Sequence, residues 1–296
     1  MKSEYLKKCF FCSQEITGKK TLEHIIPNSL LGKLNIKEKN LIGEYNIQYS
    51  RIKVPAHSSC NNNFGSEYED KILQLLDDPE TLYNEINSND QLDLRYSHSN
   101  DSTSLIITWL SKIYYGLFYN DYLKTRNNDW QNLCFEIINS ENFKLTQNSY
   151  QLNTGFNLPS SLYAFKTKKK EFNLRTNIYP SSILMNINGL ILILCIADGF
   201  LCKNYLNSYN LATLNDHLKE NDHLNTFPTD LFAFAEISAL RLNIPKTPSF
   251  IFNEKEIFNL SLNTLVSNPN EYYKVNPENI EKERNNILES LGVQII

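Results

Sequence analysis

The chain carries two closely spaced pairs of metal-binding residue types, and these pairs restrict its fold more than any other feature. Cys9 and Cys12 form a Cys-x-x-Cys sequence, and His57 and Cys60 form a His-x-x-Cys sequence. Two intervening residues let one tight turn present both side chains to one ion, and three thiolates with one imidazole suit tetrahedral Zn²⁺. We therefore predict one structural zinc site that joins two distant segments. The alternative is an ordinary cytosolic cysteine pair, and His57 is the weakest member of the set.

Length and composition indicate a globular protein with two domains. The chain has 296 residues, of which 41% are hydrophobic and 21% are charged, and this balance excludes a disordered or fibrous chain. The most apolar stretch, residues 183–197, is interrupted by Asn186 and Asn188 and falls short of the about 18 apolar residues that a membrane span needs. The N-terminal sequence has no apolar signal-peptide core, so we expect a cytoplasmic protein that does not associate with membranes.

The spacing of apolar residues predicts an α+β fold. We expect an N-terminal domain at residues 1–88, a linker at 89–103 and a second domain at 104–296, because residues 86–103 are polar and irregular. The first domain should contain short strands and a helix that follows Cys60. The second should be mixed helical and β-rich, with a long helix near residues 105–123, a β-hairpin at Asn188-Gly189 and a last helix that begins at Pro277.

Charge is distributed unevenly along the chain. The net charge of −4 is not that of a typical nucleic-acid-binding protein. Residues 1–57, however, carry ten Lys or Arg against five Glu, whereas residues 58–101 carry two against ten. Lys33 and Lys37 are therefore candidates for phosphate contacts, with a solvated loop as the alternative. Glu67, Glu69 and Asp70 are expected on the exposed face of the helix that follows Cys60.

A further motif lies between the two metal-binding pairs. Residues 22–27 read Leu-Glu-His-Ile-Ile-Pro, and the second pair leads directly into Asn61, followed by Phe64 and Gly65. In this order the residues resemble the HNH endonucleases, also called ββα-metal nucleases, and in particular the subgroup written Cys-x-x-Cys … Glu-His-Ile-Ile-Pro … Cys-Asn … Phe-Gly. The resemblance covers roughly residues 7–75. Each piece is weak alone, but the ordered set is specific.

The resemblance implies a mechanism. The first domain would be a zinc-stapled ββα-metal domain, with Cys9, Cys12, His57 and Cys60 holding a zinc ion that takes no part in the reaction. His24 would act as the general base that activates water, a role suited to an imidazole. Glu23 and Asn61 would hold a catalytic divalent ion, Mg²⁺ or Mn²⁺, through hard oxygen ligands.

The chain departs from the family's pattern at three points. His57 replaces the cysteine that usually begins the second pair, which preserves ligand chemistry. The spacing between His24 and Asn61 is longer than in the compact form of the family. Ile52 stands where the family normally has an asparagine that orients the hairpin. These departures affect the expected geometry more than the expected chemistry.

Two functions follow from these observations. The first is a metal-dependent endonuclease that hydrolyses phosphodiester bonds, with DNA expected as the substrate and RNA left open. The second is a zinc-stapled module that binds nucleic acid or protein without catalysis. The pair Glu23-His24 favours the first, since zinc binding alone gives no reason for it. Residues 104–296 contain no catalytic motif and are expected to serve recognition, oligomerisation or contact with a partner protein. A nuclease motif joined to such a domain resembles, by analogy, bacterial restriction and defence nucleases.

Overall fold

The computed structural model of the chain describes residues 2–41, 46–88, 102–151, 158–206, 211–222, 228–244, 246–251, 259–264 and 276–293. The expected linker at residues 89–103 lies almost entirely outside these ranges, since only its last two residues are described. The described part combines α-helices with antiparallel strands, so the chain is α+β.

Short helices and strands alternate in the N-terminal part of the chain, and longer elements follow. The helices are α1 (Lys2–Tyr5), α2 (Asn28–Lys33), α3 (Ser58–Phe64), α4 (Asp70–Leu75), α5 (Pro79–Ser88), α6 (Ser102–Lys124), α7 (Asn128–Ile138), α8 (Glu141–Gln151), α9 (Leu201–Leu206), α10 (Leu211–Asn221), α11 (Thr229–Asn243) and α12 (Pro277–Ser290). The strands are β1 (Lys20–His24), β2 (Asn40–Leu41), β3 (Ile47–Gln48), β4 (Lys53–His57), β5 (Ser161–Lys166), β6 (Asn173–Asn177), β7 (Ser182–Ile187), β8 (Leu190–Cys195), β9 (Lys246–Ile251) and β10 (Asn259–Thr264). A 3₁₀ turn at Tyr49–Arg51 precedes β4, and a π-helical turn at Gly65–Glu69 joins α3 to α4.

The chain forms two compact units that do not follow the division expected from sequence. Unit 1 comprises Met1–Asp77 and Arg95–Leu158, and unit 2 comprises Asp78–Leu94 and Pro159–Ile296. The expected boundary near residues 89–103 therefore does not separate the units. Helices α6 to α8 belong with the N-terminal elements, whereas α5 belongs with the later sheet. The polar composition of residues 89–103 does not reveal to which unit the residues after them belong.

Helix α6 is the central element of unit 1. Nearly all of its residues from Ser102 to Tyr122 are buried, including Trp109 and Tyr115. A helix that is apolar on every side must be surrounded by other elements. The segment from Cys9 to Cys12, which we call the knuckle, supplies part of that surrounding with its aromatic residues, since the ring centroids of Phe10 and Tyr119 are 5.6 Å apart. Helix α6 therefore completes the core of the N-terminal unit.

Strands β1 and β4 form an antiparallel pair in unit 1, and α3 follows β4 directly. The register places Glu23 opposite Val54 and His24 opposite Lys53. His57 ends β4 and also occupies the N-cap position of α3. The order of elements is thus strand, strand, helix, with the first metal-binding pair before β1 and the second at the junction of β4 and α3.

Unit 2 is built on a four-stranded antiparallel sheet with the order β5-β8-β7-β6. Every residue of β7 and β8 is buried, so both faces of these central strands are covered. The turn between them holds Asn188 at φ 52° and Gly189 at φ 82°, which is the geometry that an Asn-Gly hairpin turn requires. The expected hairpin is thereby confirmed.

None of the described helices, in either unit, has both the length and the apolar character that crossing a membrane needs.

Candidate metal centre and adjoining polar site

The four predicted zinc ligands converge in unit 1. One ligand atom from each of Cys9, Cys12, His57 and Cys60 lies within 4.8 Å of the others. The Nδ1 atom of His57 is 3.4 Å from Sγ of Cys12 and 3.9 Å from Sγ of Cys60. Tetrahedral zinc with ordinary bond lengths would set sulfur and nitrogen ligands about 3.5 Å apart. The cluster therefore has the dimensions of a site for a metal such as zinc.

Local backbone geometry builds the two halves of the cluster. In the first half, the Ser13 backbone N–H donates to the Cys9 carbonyl at 2.8 Å, and Ser13 takes a left-handed φ of 58°. This tight turn directs both cysteines of the knuckle to the same side. In the second half, α3 begins directly after His57, so Cys60 lies in its first turn. Positions three apart lie on one face of a helical turn, which brings His57 and Cys60 together.

A backbone carbonyl fixes the orientation of the His57 ring. Nε2 of His57 lies 3.2 Å from the carbonyl oxygen of Glu15, so the Nε2–H group donates to that oxygen. The other ring nitrogen, Nδ1, is then free of hydrogen and faces Cys12 and Cys60. Metal-binding histidines ordinarily donate their second nitrogen in this way. The contact with Glu15 supports a ligand role for His57, the weakest member of the predicted set.

The thiols of Cys12 and Cys60 need a cation in order to ionise. Burial, together with the neighbouring thiols of Cys9 and Cys12, raises the pKa of Cys60 to about 12. Burial also raises the pKa of Cys12. Cysteine binds metal as the thiolate, and a bound cation releases the proton that the clustered thiols otherwise keep. The chemistry of the donor set thus agrees with its geometry.

Of the residues expected to carry catalysis, Asn61 directly follows a member of this cluster, whereas Glu23 and His24 lie at the opposite end of the β1–β4 pair from His57. Glu23 and His24 occupy the last two positions of β1, where Glu23 is buried and His24 is half-buried. Asn61 follows Cys60 on α3, and its Nδ2 lies 3.4 Å from Oγ1 of Thr21. Thr21 and Glu23 share one face of β1 because side chains alternate along a strand. No hydrogen bond joins Glu23, His24 and Asn61 to one another within the described residues.

A buried lysine that was not expected from sequence binds the Glu23-His24 segment. The ammonium group of Lys112, on α6, lies 2.6 Å from Oε1 of Glu23 and 2.7 Å from Oε1 of Glu69. It also donates to the backbone carbonyls of His24 at 2.8 Å and Ile25 at 3.0 Å. Lys112 is completely buried, so these four oxygens provide its charge compensation and its hydrogen bonds.

Charge compensation controls the ionisation of this group. Burial opposes the charged form of Lys112, but the carboxylates of Glu69 and Glu23 outweigh it and raise the lysine pKa. Burial raises the pKa of Glu69 although Lys112 acts in the opposite direction.

The expectation that Glu69 is exposed is wrong, because only 14% of its side chain is accessible. Glu67 and Asp70 are exposed as expected.

The environment of His24 keeps its imidazole neutral. Burial lowers the pKa of His24, and the positive charges of Lys53 and Lys112 lower it further. A neutral imidazole has a free lone pair at neutral pH and is able to accept a proton. The side chain therefore has the protonation state that a general base needs.

The two lysines expected near phosphate differ in their surroundings. Lys33 forms an ion pair with Asp77, so its charge is compensated within the protein. Lys37 is exposed and lies against Gly32. Its charge contributes to lowering the pKa of His24, which places it within electrostatic range of that imidazole. Of the two, Lys37 is the better candidate for contact with an anion.

One signal in the sequence could have revealed Lys112. Between Ser102 and Tyr119 it is the only charged residue of α6, in a stretch that is otherwise apolar or weakly polar. Lysine is almost never fully buried without a partner, so its position in such a helix predicts a buried acid elsewhere. The spacing of the residues does not say which acid.

No family model, no curated protein and no solved structure matches the chain. The function of the site is therefore inferred from its own residues.

Proposed function

We propose that the protein is a metal-dependent endonuclease of the ββα-metal type that hydrolyses phosphodiester bonds in nucleic acid, with DNA as the expected substrate. The observation that carries the proposal is the arrangement of β1, β4 and α3 around the Cys/His cluster. This arrangement sets His24 on β1 and Asn61 on α3, in the order in which the HNH motif places its general base and its metal-binding residue.

In this proposal His24 removes the proton from the attacking water. Its lowered pKa keeps it unprotonated at neutral pH, and a positioned general base contributes about 10²–10⁴-fold to the rate. Lys112 holds the backbone carbonyl of His24, so the segment that bears the base is anchored to the buried helix α6. The imidazole itself remains half-exposed and accessible to a substrate.

Glu23 and Asn61 offer the oxygens for a divalent ion. Lys112 contacts only Oε1 of Glu23, and Asn61 uses only its amide nitrogen in the contact with Thr21. No described residue donates to the second carboxylate oxygen of Glu23 or to the amide oxygen of Asn61. One carboxylate with a neutral oxygen suits Mg²⁺, which usually completes its coordination with water and substrate phosphate. When bound, such an ion neutralises charge on the scissile phosphate.

The Cys/His cluster has a different part in the proposal. Cys9, Cys12, His57 and Cys60 supply four protein ligands, which is the number that a tetrahedral structural zinc site uses. No position is left for water or substrate. We propose that zinc at this cluster fixes the knuckle to the β4–α3 junction and takes no part in the reaction.

A second candidate function is a zinc-stapled module that binds without catalysis. The observation in its favour is the ion pair between Lys112 and Glu23. An internal ammonium already compensates the carboxylate that the nuclease needs for its divalent ion. A protein that used Glu23 only to stabilise its core would show the same contact.

The deciding experiment is cleavage of supercoiled plasmid in the presence of Mg²⁺ or Mn²⁺. Wild-type protein would be compared with His24→Ala and with His217→Ala, which alters an exposed histidine in unit 2, and bound zinc would be quantified in each. The nuclease predicts metal-dependent nicking that is lost only in His24→Ala, with about one zinc per chain in all three proteins. Folded, zinc-loaded protein that cleaves neither DNA nor RNA with any metal would contradict it and favour the binding module.

A further inference from the structure

Four basic side chains form a series of neighbours that begins beside His24, and we call them the basic patch: Lys37, Arg51, Lys53 and Lys124. They come from three different parts of unit 1, namely the loop after α2, the segment that enters β4 and the C-terminal end of α6. Lys53 is the cross-strand partner of His24. The ammonium of Lys124 donates to the backbone carbonyl of Arg51 at 2.7 Å.

Lys37 lies close to Arg51, because Oγ of Ser50, the residue before Arg51, donates to the backbone carbonyl of Lys37 at 2.9 Å. Electrostatic effects on Lys124 agree with this close spacing of the charges. The pKa of Lys124 is lowered by burial and, in addition, by the charges of Lys53 and Arg51, while Asp121 acts in the opposite direction. The patch therefore concentrates positive charge at one edge of the candidate site.

Little negative charge compensates the patch. Within the described residues none of its four members forms an ion pair. Asp121 is the acid that acts on Lys124, and its carboxylate also accepts hydrogen bonds from Nε1 of Trp130 at 3.1 Å and from Nδ2 of Asn120 at 3.3 Å. Lys33, in contrast, is paired with Asp77. A cluster of uncompensated cations weakens the folded state by self-repulsion and raises the local concentration of anions.

We propose that the basic patch binds the phosphate backbone of the nucleic-acid strand on which the candidate site acts. The inference rests on the proposed function and extends it, because it names the residues that hold the polymer beside the scissile bond. It also assigns a substrate-binding role to α6, the helix that holds Glu23 through Lys112. Of the two lysines that we expected to contact nucleic acid, Lys33 and Lys37, the proposal therefore keeps Lys37 and leaves out Lys33. It adds Arg51, Lys53 and Lys124.

The chemistry of the patch matches a polyanion with closely spaced charges. Nucleic acid carries one phosphate per nucleotide, and each phosphate that a Lys or Arg neutralises releases condensed counterions. The slope of log affinity against log salt therefore measures the number of phosphate contacts. The side chain of Arg51 is exposed, and that of Lys124 is exposed along much of its length although its ammonium is partly desolvated. Both lie outside the Glu23-His24 segment, so they can be changed without touching the groups assigned to catalysis.

The test is a salt titration of binding, measured by fluorescence anisotropy with a labelled duplex DNA and a labelled single-stranded RNA. Full-length protein with His24→Ala would be the reference, so that no cleavage occurs. Arg51→Gln with Lys124→Gln would be compared with Lys33→Gln with Lys71→Gln. Both pairs remove two positive charges, but Lys33 and Lys71 are engaged by Asp77 and Glu67.

We expect the slope of log affinity against log salt to fall by about two for the patch variant, one for each lost phosphate contact. The matched control should keep the reference slope. Equal slopes in the two variants, or no salt-dependent binding of either nucleic acid, would overturn the proposal. The result is separable from the proposed function: His24-dependent cleavage with equal slopes rejects only the patch, whereas patch-dependent binding without cleavage by wild-type protein rejects only the nuclease.

Discussion

The ammonium of Lys112 lies 2.6 Å from the carboxylate of Glu23, and 89 residues separate the two along the chain. The pair joins the strand that carries the proposed catalytic residues to a helix that belongs, by sequence, to a later region. The proposed site therefore depends on residues well beyond the 7–75 segment that resembles HNH endonucleases. Stability, metal binding and proton transfer in unit 1 should each reflect this arrangement.

Lys112→Met should strongly destabilise the protein. Removing the ammonium leaves the carboxylates of Glu23 and Glu69 buried without a counter-charge, a change that typically costs about 3–5 kcal/mol. Urea unfolding would measure the loss. The triple variant that adds Glu23→Gln and Glu69→Gln should recover much of it, since no buried charge remains. A loss below about 1 kcal/mol in the single variant would show that water reaches these carboxylates.

Removal of the metal should weaken unit 1 through the loss of a cross-link between the knuckle and the β4–α3 junction. Cys60→Ser should reduce bound zinc from about one per chain to nearly none and should lower the midpoint of thermal unfolding. Cys134→Ala is the matched control, because Cys134 is a buried thiol outside the cluster. It should keep its zinc. Equal zinc in both variants would refute the assignment of Cys60 as a ligand.

Gly116→Ala should destabilise the protein although alanine favours helices. A Cβ atom at position 116 would clash with Cδ1 of Ile25, the residue that follows His24. Overpacking of this kind costs about 1–3 kcal/mol, more than the roughly 1 kcal/mol that alanine contributes to a helix. Gly65→Ala is the control, since a Cβ atom there meets nothing within 4 Å. It should be neutral or stabilising in the same unfolding assay.

The pKa of His24 should lie below its ordinary value of 6.5 when no divalent ion is present. Burial is the largest cause and the charge of Lys53 the next, so Lys53→Gln should raise the pKa part of the way back. Proton NMR of the imidazole across a pH titration would measure both values. Because the neutral form is the base, cleavage should decline only as the pH falls through this lowered pKa. Lys33→Gln should leave the titration unchanged, and an equal shift in that control would show a general effect of net charge.

The parts of the structure that local sequence determines were predictable. The Cys/His cluster follows from two short spacings, and the hairpin at Asn188-Gly189 follows from a turn that only certain residues permit. The last helix begins at Pro277 as expected, with Asn276 as its cap. In each case the informative pattern is local, although the two halves of the Cys/His cluster are themselves distant in the chain.

The parts that depend on distant residues were not predictable in the same way. Apolar spacing identifies α6 as a helix but does not say which unit surrounds it, and the division at residues 89–103 differs from the observed units for that reason. Glu69 has the local pattern of a surface residue, and only Lys112 explains why its carboxylate is enclosed. The same limit applies to Arg51 and Lys124, which approach each other only in the folded chain.

The interrupted sequence of unit 1 has a consequence for its synthesis on the ribosome. All four residues of the Cys/His cluster have been added once Cys60 is in place, whereas Lys112 follows Glu23 by 89 residues. At about 5–20 residues per second, Glu23 exists for roughly 4–18 seconds before its partner is made. We expect the nascent chain to acquire its metal first and to enclose the Glu23 carboxylate only when α6 has emerged. The buried ion pair would then form after the metal has joined the two halves of the cluster and before α7 and α8 complete unit 1.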